Sequence, residues 1–309
     1  MTDGTHAQRI MELLLQRPGL DDDEIARTLG IEPRQTVNQI CRRLAARGSL
    51  RRERGAGGKI VNVPGNGSAA SRPPAASRAQ ASDRNTAKPG LPVSIMPSDL
   101  AKTLLILPCS GVKRDRGEDA PPGPAIAESL PPELTAEFLD ARASVRQLAP
   151  FDETVLLPAW QRYDGALYQA GRQAIGDLMQ AGAHVVILSG GYGALLATEP
   201  IGDYDARLTP SWWPQRILQR VLLAYAQHHG IAAVRAVVSA TGPYVGVLQR
   251  VRWQDAGIQD ALLITPEAEP GGLRRSPATQ GEALTALRDG TLATDWQSSY
   301  GLGLNVRAF

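Results

Sequence analysis

Three carboxylates and two tyrosines crowd the segment VILSGGYGALLATEPIGDYDARL. Glu199, Asp203 and Asp205 follow Tyr192 and surround Tyr204, just after an apolar run that ends in Ser189, Gly190 and Gly191. An aromatic ring gives a flipped nucleobase a face to stack on, and polar groups can read its edge. A carboxylate beside the sugar stabilises a developing oxocarbenium ion or orients water, the chemistry that breaks a glycosidic bond. Asp205 is the first choice for that carboxylate, Glu199 the second and Asp203 the third, against the plainer role of a loop charge or helix cap.

A second group of reactive types lies in LPCSGVKRDRG, where Cys109 and Ser110 end an apolar run and Lys113 and Arg116 follow closely. Backbone N–H groups and cations in such a turn can hold a phosphate, although the spacing is not that of a P-loop. Cys109 is a weaker candidate as a nucleophile, because no histidine stands near it in sequence to take its proton. Glycines at 190, 191 and 193 without one at 196 leave the dinucleotide fingerprint incomplete, so NAD is not expected. The two cysteines, Cys41 and Cys109, show no metal-ligand spacing and fall in different parts of the chain. Neither a disulfide, a metal nor a cofactor is expected.

These residues need a scaffold, and from Lys102 onward the pattern supplies one. The runs TLLILPCS, TVLLPAW, HVVILSGG and VRAVVSA alternate with helical stretches, which predicts an α/β domain with a mostly parallel sheet flanked by helices. Three of these runs end in small polar residues: Cys109-Ser110-Gly111, Ser189-Gly190-Gly191 and Ser239-Ala240-Thr241-Gly242. In open α/β sheets the carboxyl ends of the strands border the ligand crevice. A base pocket of Cys109, Ser110, Ser189, Gly190, Gly191, Tyr192 and Tyr204 follows. Trp212-Trp213 is expected to pack under the helix it begins rather than to wedge DNA, and His228-His229 to be structural or exposed.

Ahead of this domain, Ile10, Leu13 and Leu14 mark one helix, and Ile25, Ala26 and Leu29 a second that begins at Asp21 to Asp23 and ends at Gly30. Val37, Ile40, Cys41 and Leu44 give a third helix its apolar face, and SLRRERGAGGKIVNV predicts two strands around a glycine-rich tip. Between Pro64 and Asp99 few large apolar side chains offset the entropy of ordering, so this stretch is expected to be a flexible linker. The expected division is therefore 1–63, a linker at 64–100, and 101–309. With 309 residues the chain can hold two cores, and its net charge of +2 leaves the question of partners to how the charge is distributed. The opening MTDGTHAQRI lacks an apolar signal core and no later run is long enough to span a bilayer, so a cytoplasmic protein with no membrane partner is expected.

The segment DDDEIARTLGIEPRQTVNQICRRLAARGSLRRERGAGGKIVNV resembles the winged helix-turn-helix family. That resemblance implies a DNA partner, with Arg34, Gln35, Asn38 and Arg42 of the third helix and Arg51, Arg52, Arg54 and Lys59 of the wing facing it. The alternative is a solvated basic face or a module for protein contacts. The residues PCSGVK (108–113), ALYQAGRQA (166–174) and ILSGGYGALLATEPIGDYDARL (187–208) resemble domains related to the peroxide-stress protein YaaA, and a similar constellation occurs in the core domain of archaeosine-synthesis enzymes. Those domains carry C-S-x-x-K at a strand end, L-Y-x-G in a helix, and S-x-x-Y-G-L followed by Pro and Tyr-Asp. This chain departs from them in the Gly190-Gly191 pair before Tyr192 and in a proline-rich insertion between Asp115 and Glu133. The resemblance implies an α/β domain that acts on DNA or nucleobases. Together with the acidic and aromatic pocket it leads to the expectation of a DNA glycosylase that releases a modified base, in defence against phages with altered DNA. The alternative is a non-enzymatic DNA-binding regulator or stress protein; a nuclease with metal-held carboxylates is weaker, since no D…ExK strand is present.

Overall fold

The computed structural model describes residues 6–31, 34–46, 48–55, 59–65, 94–116, 123–267 and 275–309. The chain divides into two compact units, Met1–Asn85 and Thr86–Phe309. Most of the expected linker, the tip at 56–58 and part of the proline-rich insertion lie outside the described residues.

In the first unit, helix α1 (His6–Gln16), the short strand β1 (Leu20–Asp21), α2 (Asp22–Leu29) and α3 (Arg34–Ala46) precede strands β2 (Leu50–Arg54) and β3 (Ile60–Pro64). The start of α2 is fixed by a capping box. The Asp21 carboxylate accepts from Glu24 N at 2.8 Å and Asp21 N donates to the Glu24 carboxylate at 2.8 Å, so orphan N–H groups are answered reciprocally. Gly30 ends the helix at φ 63°, a left-handed position that a side chain would strain. The strands form an antiparallel sheet in the order β1-β3-β2. Ile10, Leu14, Ile25, Val37, Cys41 and Leu50 make its core, and burial pushes the Cys41 thiol up to about 12. A thiol held protonated in this way behaves as a small hydrophobe.

The second unit is built on a six-stranded mixed sheet in the order β11-β10-β9-β4-β6-β7. Its strands are β4 (Thr103–Pro108), β6 (His184–Ser189), β7 (Gly193–Leu196), β9 (Ala233–Val237), β10 (Asp260–Pro266) and β11 (Leu304–Ala308). Parallel pairing is confined to β10, β9, β4 and β6, while β7 and β11 close the two edges antiparallel. The expectation of a mostly parallel sheet is corrected accordingly: β7 folds straight back on β6 through the turn at Gly190, Gly191 and Tyr192, and the C-terminal segment returns as an edge strand. Side chains alternate across the sheet, as the pleat requires. Leu104 and Ile106 join Phe138, Val186, Val221 and Trp253 on one face, and Leu105 and Leu107 join Tyr168, Ile175, Ile187 and Leu284 on the other. Helices α4 (Pro132–Leu148), α7 (Ile217–His228) and α8 (Pro243–Leu248) supply the first layer. The short α5 (Ala159–Arg162), α6 (Ala166–Gln180) and α9 (Ser276–Arg288) supply the second. Among the described residues no helix is long and apolar enough to cross a membrane.

The run TVLLPAW does not enter this sheet. Its residues belong to β5 (Phe151–Pro158), which pairs antiparallel with β8 (Pro200–Tyr204) in a separate two-stranded ribbon, and then to α5.

His184, His228 and His229 gather with Tyr225 where β6 begins and α7 ends. His184 Nδ1 lies 2.8 Å from Tyr225 OH, and the His184 and His229 rings are 4.8 Å apart. Burial lowers the pKa of both His184 and His229, and the neighbouring His184 and His228 lower His229 further. The unfolded chain, whose histidines titrate near 6.5, therefore takes up protons that the folded rings resist. Their contribution to stability is complete above about pH 6.5 and declines as the pH falls through that value. The unfolding midpoint should drop between pH 7.5 and 5.5, and the double substitution His184→Gln/His229→Gln should flatten that drop. An equally steep drop in the double variant would show that the histidines do not cause it.

Candidate functional site

At the carboxyl ends of the parallel strands, Cys109 follows β4, Ser189 ends β6 and the 239–242 turn follows β9. The chain crosses this end of the sheet twice more, through Lys113 and its bridge to Tyr163 and through the segment after Tyr204. A line of hydroxyls runs through the floor. Tyr204 OH lies 2.8 Å from both Tyr163 OH and Ser189 Oγ, and Ser189 Oγ accepts from Tyr192 N at 3.0 Å. Burial raises the pKa of Tyr163 and Tyr204 well above the ordinary phenol value. They are neutral hydroxyls near pH 7 and act as donors and acceptors rather than bases. Tyr168, on α6, donates to the Pro108 carbonyl at 2.8 Å and ties the strand end to that helix.

Nearer the surface, Cys109 Sγ lies 3.1 Å from Tyr244 OH, and both residues are half-buried. Tyr244 is also pushed upward, first by burial and then by Cys109. Ser110 Oγ accepts from Val112 N at 3.0 Å, and a side chain at Gly165 would collide with it.

Lys113 has a 7% exposed side chain, donates to the Tyr204 carbonyl at 2.5 Å, lies 3.7 Å from an Asp203 carboxylate oxygen and sits 4.0 Å over the Tyr204 ring. It is buried against Tyr204, whereas Arg116 is exposed. The Gly190-Gly191 pair admits the chain that crosses above it: a Cβ at Gly190 would strike the Ala206 carbonyl, and one at Gly191 would strike the Tyr204 ring. Tyr192 is buried between Phe151 and Tyr204, donates to Glu153 Oε1 at 2.8 Å and accepts from Gly202 N at 3.0 Å. Ser189, Gly190, Gly191, Tyr192 and Tyr204 thus form a closed floor, while Cys109, Ser110 and Asp203 are partly accessible and Asp205 is exposed.

The three acids have distinct surroundings. Glu199 is 5% exposed and pairs with Arg142 Nη1 at 2.7 Å; its other oxygen accepts from Ile126 N at 3.1 Å and Leu196 N at 3.3 Å. Asp203 accepts from Tyr204 N at 2.7 Å and faces Lys113. Asp205 follows the residue whose carbonyl Lys113 holds, and its own N–H donates to the Pro150 carbonyl at 3.2 Å. Among the described residues no cluster of His, Cys, Asp and Glu is arranged to hold a metal.

Tyr163 and Tyr244 were not singled out from the sequence. Tyr244 had a signal, since it lies two residues beyond Gly242 in a strand-end turn already expected to border the site. Tyr163 had none, because its approach depends on the bridge to Lys113 across fifty residues of chain.

In the N-terminal unit, Asp22 is 4% exposed and collects three donors: Asn38 Nδ2 at 2.5 Å, Arg52 Nη2 at 2.6 Å and Asn62 Nδ2 at 2.9 Å. Asn38 and Arg52 are thereby turned into the unit. Lys59 pairs with Asp21 at 2.8 Å, and Arg51 with Glu53 at 3.4 Å. Arg42, Arg51, Arg54 and Lys59 are exposed; the side chains of Arg34 and Gln35 lie outside the described residues. No family model matches the chain, and no curated protein matches it at a significant level.

Proposed function

We propose that this chain is a DNA glycosylase. In this reading the N-terminal unit is a winged helix that holds DNA, and the α/β unit, of the YaaA-like kind, releases a modified base and leaves an abasic site. The observation that carries the reading is the contrast among the acids beside the tyrosine floor. Glu199 is buried and Asp203 half-buried, whereas Asp205 is exposed immediately after the clamped Tyr204. An exposed carboxylate on a fixed backbone beside the strand ends can stabilise positive charge growing on a sugar. The half-buried Cys109–Tyr244 pair suits the polar edge of a base better than proton abstraction. Cytoplasmic defence against phage DNA with altered bases is the setting this chemistry fits.

The test is direct. The purified full chain, incubated with a panel of phage DNAs bearing different modified bases, should generate aldehyde-reactive abasic sites in at least one and release the matching free base. Intact DNA across the whole panel overturns the reading. Divalent-metal-dependent strand cleavage without free base would instead favour a nuclease.

The basic face of the N-terminal unit makes its own prediction. Arg42 and Arg54 are exposed, so replacing both with alanine should weaken DNA binding and lower the salt slope by about two, roughly one per phosphate contact. The base that is released should not change. An unchanged salt titration would remove these two residues from the DNA interface.

A further inference from the structure

The β5–β8 ribbon contains a bulge beside the candidate site. Asp152 pairs with Asp203 and Leu157 with Ile201, so the four residues Glu153 to Leu156 stand opposite Gly202 alone. Any side chain at Gly202 would collide with the Asp152 carbonyl, so the bulge needs that glycine. Bulges re-aim side chains beside active sites. At this one Val155 is 46% exposed and Leu156 53%, two branched aliphatic residues in succession at the surface.

The protrusion is anchored from below. Arg162 is 2% exposed and donates to the carbonyls of Val155, Arg114 and Ile201, so a buried guanidinium braces the bulge from three strands of chain. The Glu153 carboxylate accepts from Tyr192 OH at 2.8 Å and pairs with Arg146 at 2.6 Å, which roots the bulge in the aromatic floor of the site and balances that acid. Through Arg162 the bulge also lies beside the 112–116 loop, which exposes Val112, Arg114, Asp115 and Arg116, while Lys113 of the same loop is turned onto Tyr204 and Asp203. Arg114 pairs with Asp164 at 3.1 Å and stays exposed, as does Arg116.

We infer that the Val155–Leu156 bulge is a wedge that enters the base stack of duplex DNA at the nucleotide presented to the site. This rests on the base-excision reading. An apolar side chain pushed between base steps unstacks them and fills the gap left by an extruded nucleotide. Cations beside the wedge answer the flanking phosphates. A loose loop would lose much of its insertion energy to ordering, and the buried Arg162 brace removes that cost in advance.

The probe is a pair of duplex oligonucleotides, one intact and one carrying a tetrahydrofuran abasic analogue next to 2-aminopurine. The full chain should prefer the analogue duplex and raise 2-aminopurine fluorescence as the neighbouring base unstacks. In Val155→Ser/Leu156→Ser that preference should fall about tenfold or more, the effect of losing the burial of one to two aliphatic side chains. Both positions are exposed, and an unchanged unfolding midpoint confirms that the variant folds. Leu156→Ser alone should give an intermediate loss. Wild-type preference and fluorescence in the double variant overturn the wedge, as does a wild-type protein with no preference at all. Preference with unstacking but no base release from the modified-DNA panel overturns the base-excision reading and leaves the wedge standing. Base release from duplex DNA without the preference overturns the wedge alone.

Discussion

Replacing Asp205 with asparagine is expected to slow base release by about a hundredfold to ten-thousandfold while DNA affinity stays within about twofold. That range corresponds to several kcal/mol of barrier, the scale on which a positioned charge or general base acts. The substitution keeps size and hydrogen-bonding shape and removes only the charge. The backbone around residue 205 is held by Lys113 on the Tyr204 carbonyl and by the Pro150 carbonyl on Asp205 N, and asparagine leaves both in place. Structure should therefore survive, and the loss should appear in kcat with little change in binding. Single-turnover release of free base, measured beside a binding titration, separates the two. Asp203→Asn is the comparison: Asp203 faces Lys113 at 3.7 Å, so its loss should disturb the clamp and reduce release less steeply. Wild-type release from Asp205→Asn would remove the carboxylate mechanism and turn attention to the Cys109–Tyr244 pair.

Where local pattern decides structure, the sequence was a good guide. The three N-terminal helices follow from their apolar periodicity, Gly30 from its left-handed cap, and β4, β6 and β9 from continuous apolar runs that a sheet covered on both faces demands. Side-chain roles that depend on distant partners were not legible. Asn38 and Arg52 have the residue types of DNA contacts, yet the acid that holds them is Asp22, 16 and 30 residues away. Lys113 has the type and position of a phosphate ligand, but the Tyr204 ring and carbonyl, 91 residues on, bury it. The Gly190-Gly191 pair was expected to line the base pocket, but the groups that come close to it are the protein's own Ala206 and Tyr204. TVLLPAW has the composition of a central strand, and nothing local reports the bulge that turns Val155 and Leu156 outward, since that geometry depends on Gly202 in the facing strand. The edges β7 and β11 escaped notice because short strands in GALL and LNVRA carry little pattern of their own.

Glu199 shows the same limit and yields the second large effect, this time on stability. Its acidic type and its place near Tyr192 suggested catalysis, but Arg142, 57 residues earlier, reaches it across the fold. The guanidinium spends its other donors on the Tyr192 carbonyl at 2.8 Å and the Ala194 carbonyl at 2.7 Å, so one residue ties α4 to the turn and strand that follow β6. Both side chains of the pair are close to fully buried, at 11% and 6% exposure. Removing one partner of such a pair leaves the other charge buried without compensation, which costs about 3–5 kcal/mol. Arg142→Ala should fall in that range, because it strands the Glu199 carboxylate and two backbone carbonyls together. Glu199→Gln keeps an acceptor for Ile126 N and Leu196 N, and Arg142 keeps the Tyr192 and Ala194 carbonyls that partly solvate its charge, so a smaller loss of about 1–3 kcal/mol is expected. All five tryptophans lie in the α/β unit, and their fluorescence in urea follows that unit alone. The midpoints should fall in the order wild type, Glu199→Gln, Arg142→Ala with the denaturant slope unchanged. At a temperature where Glu199→Gln remains folded, base release per folded molecule should stay near wild type. A collapse of release with an unmoved midpoint would reverse the assignment and make Glu199, not Asp205, the carboxylate that meets the sugar.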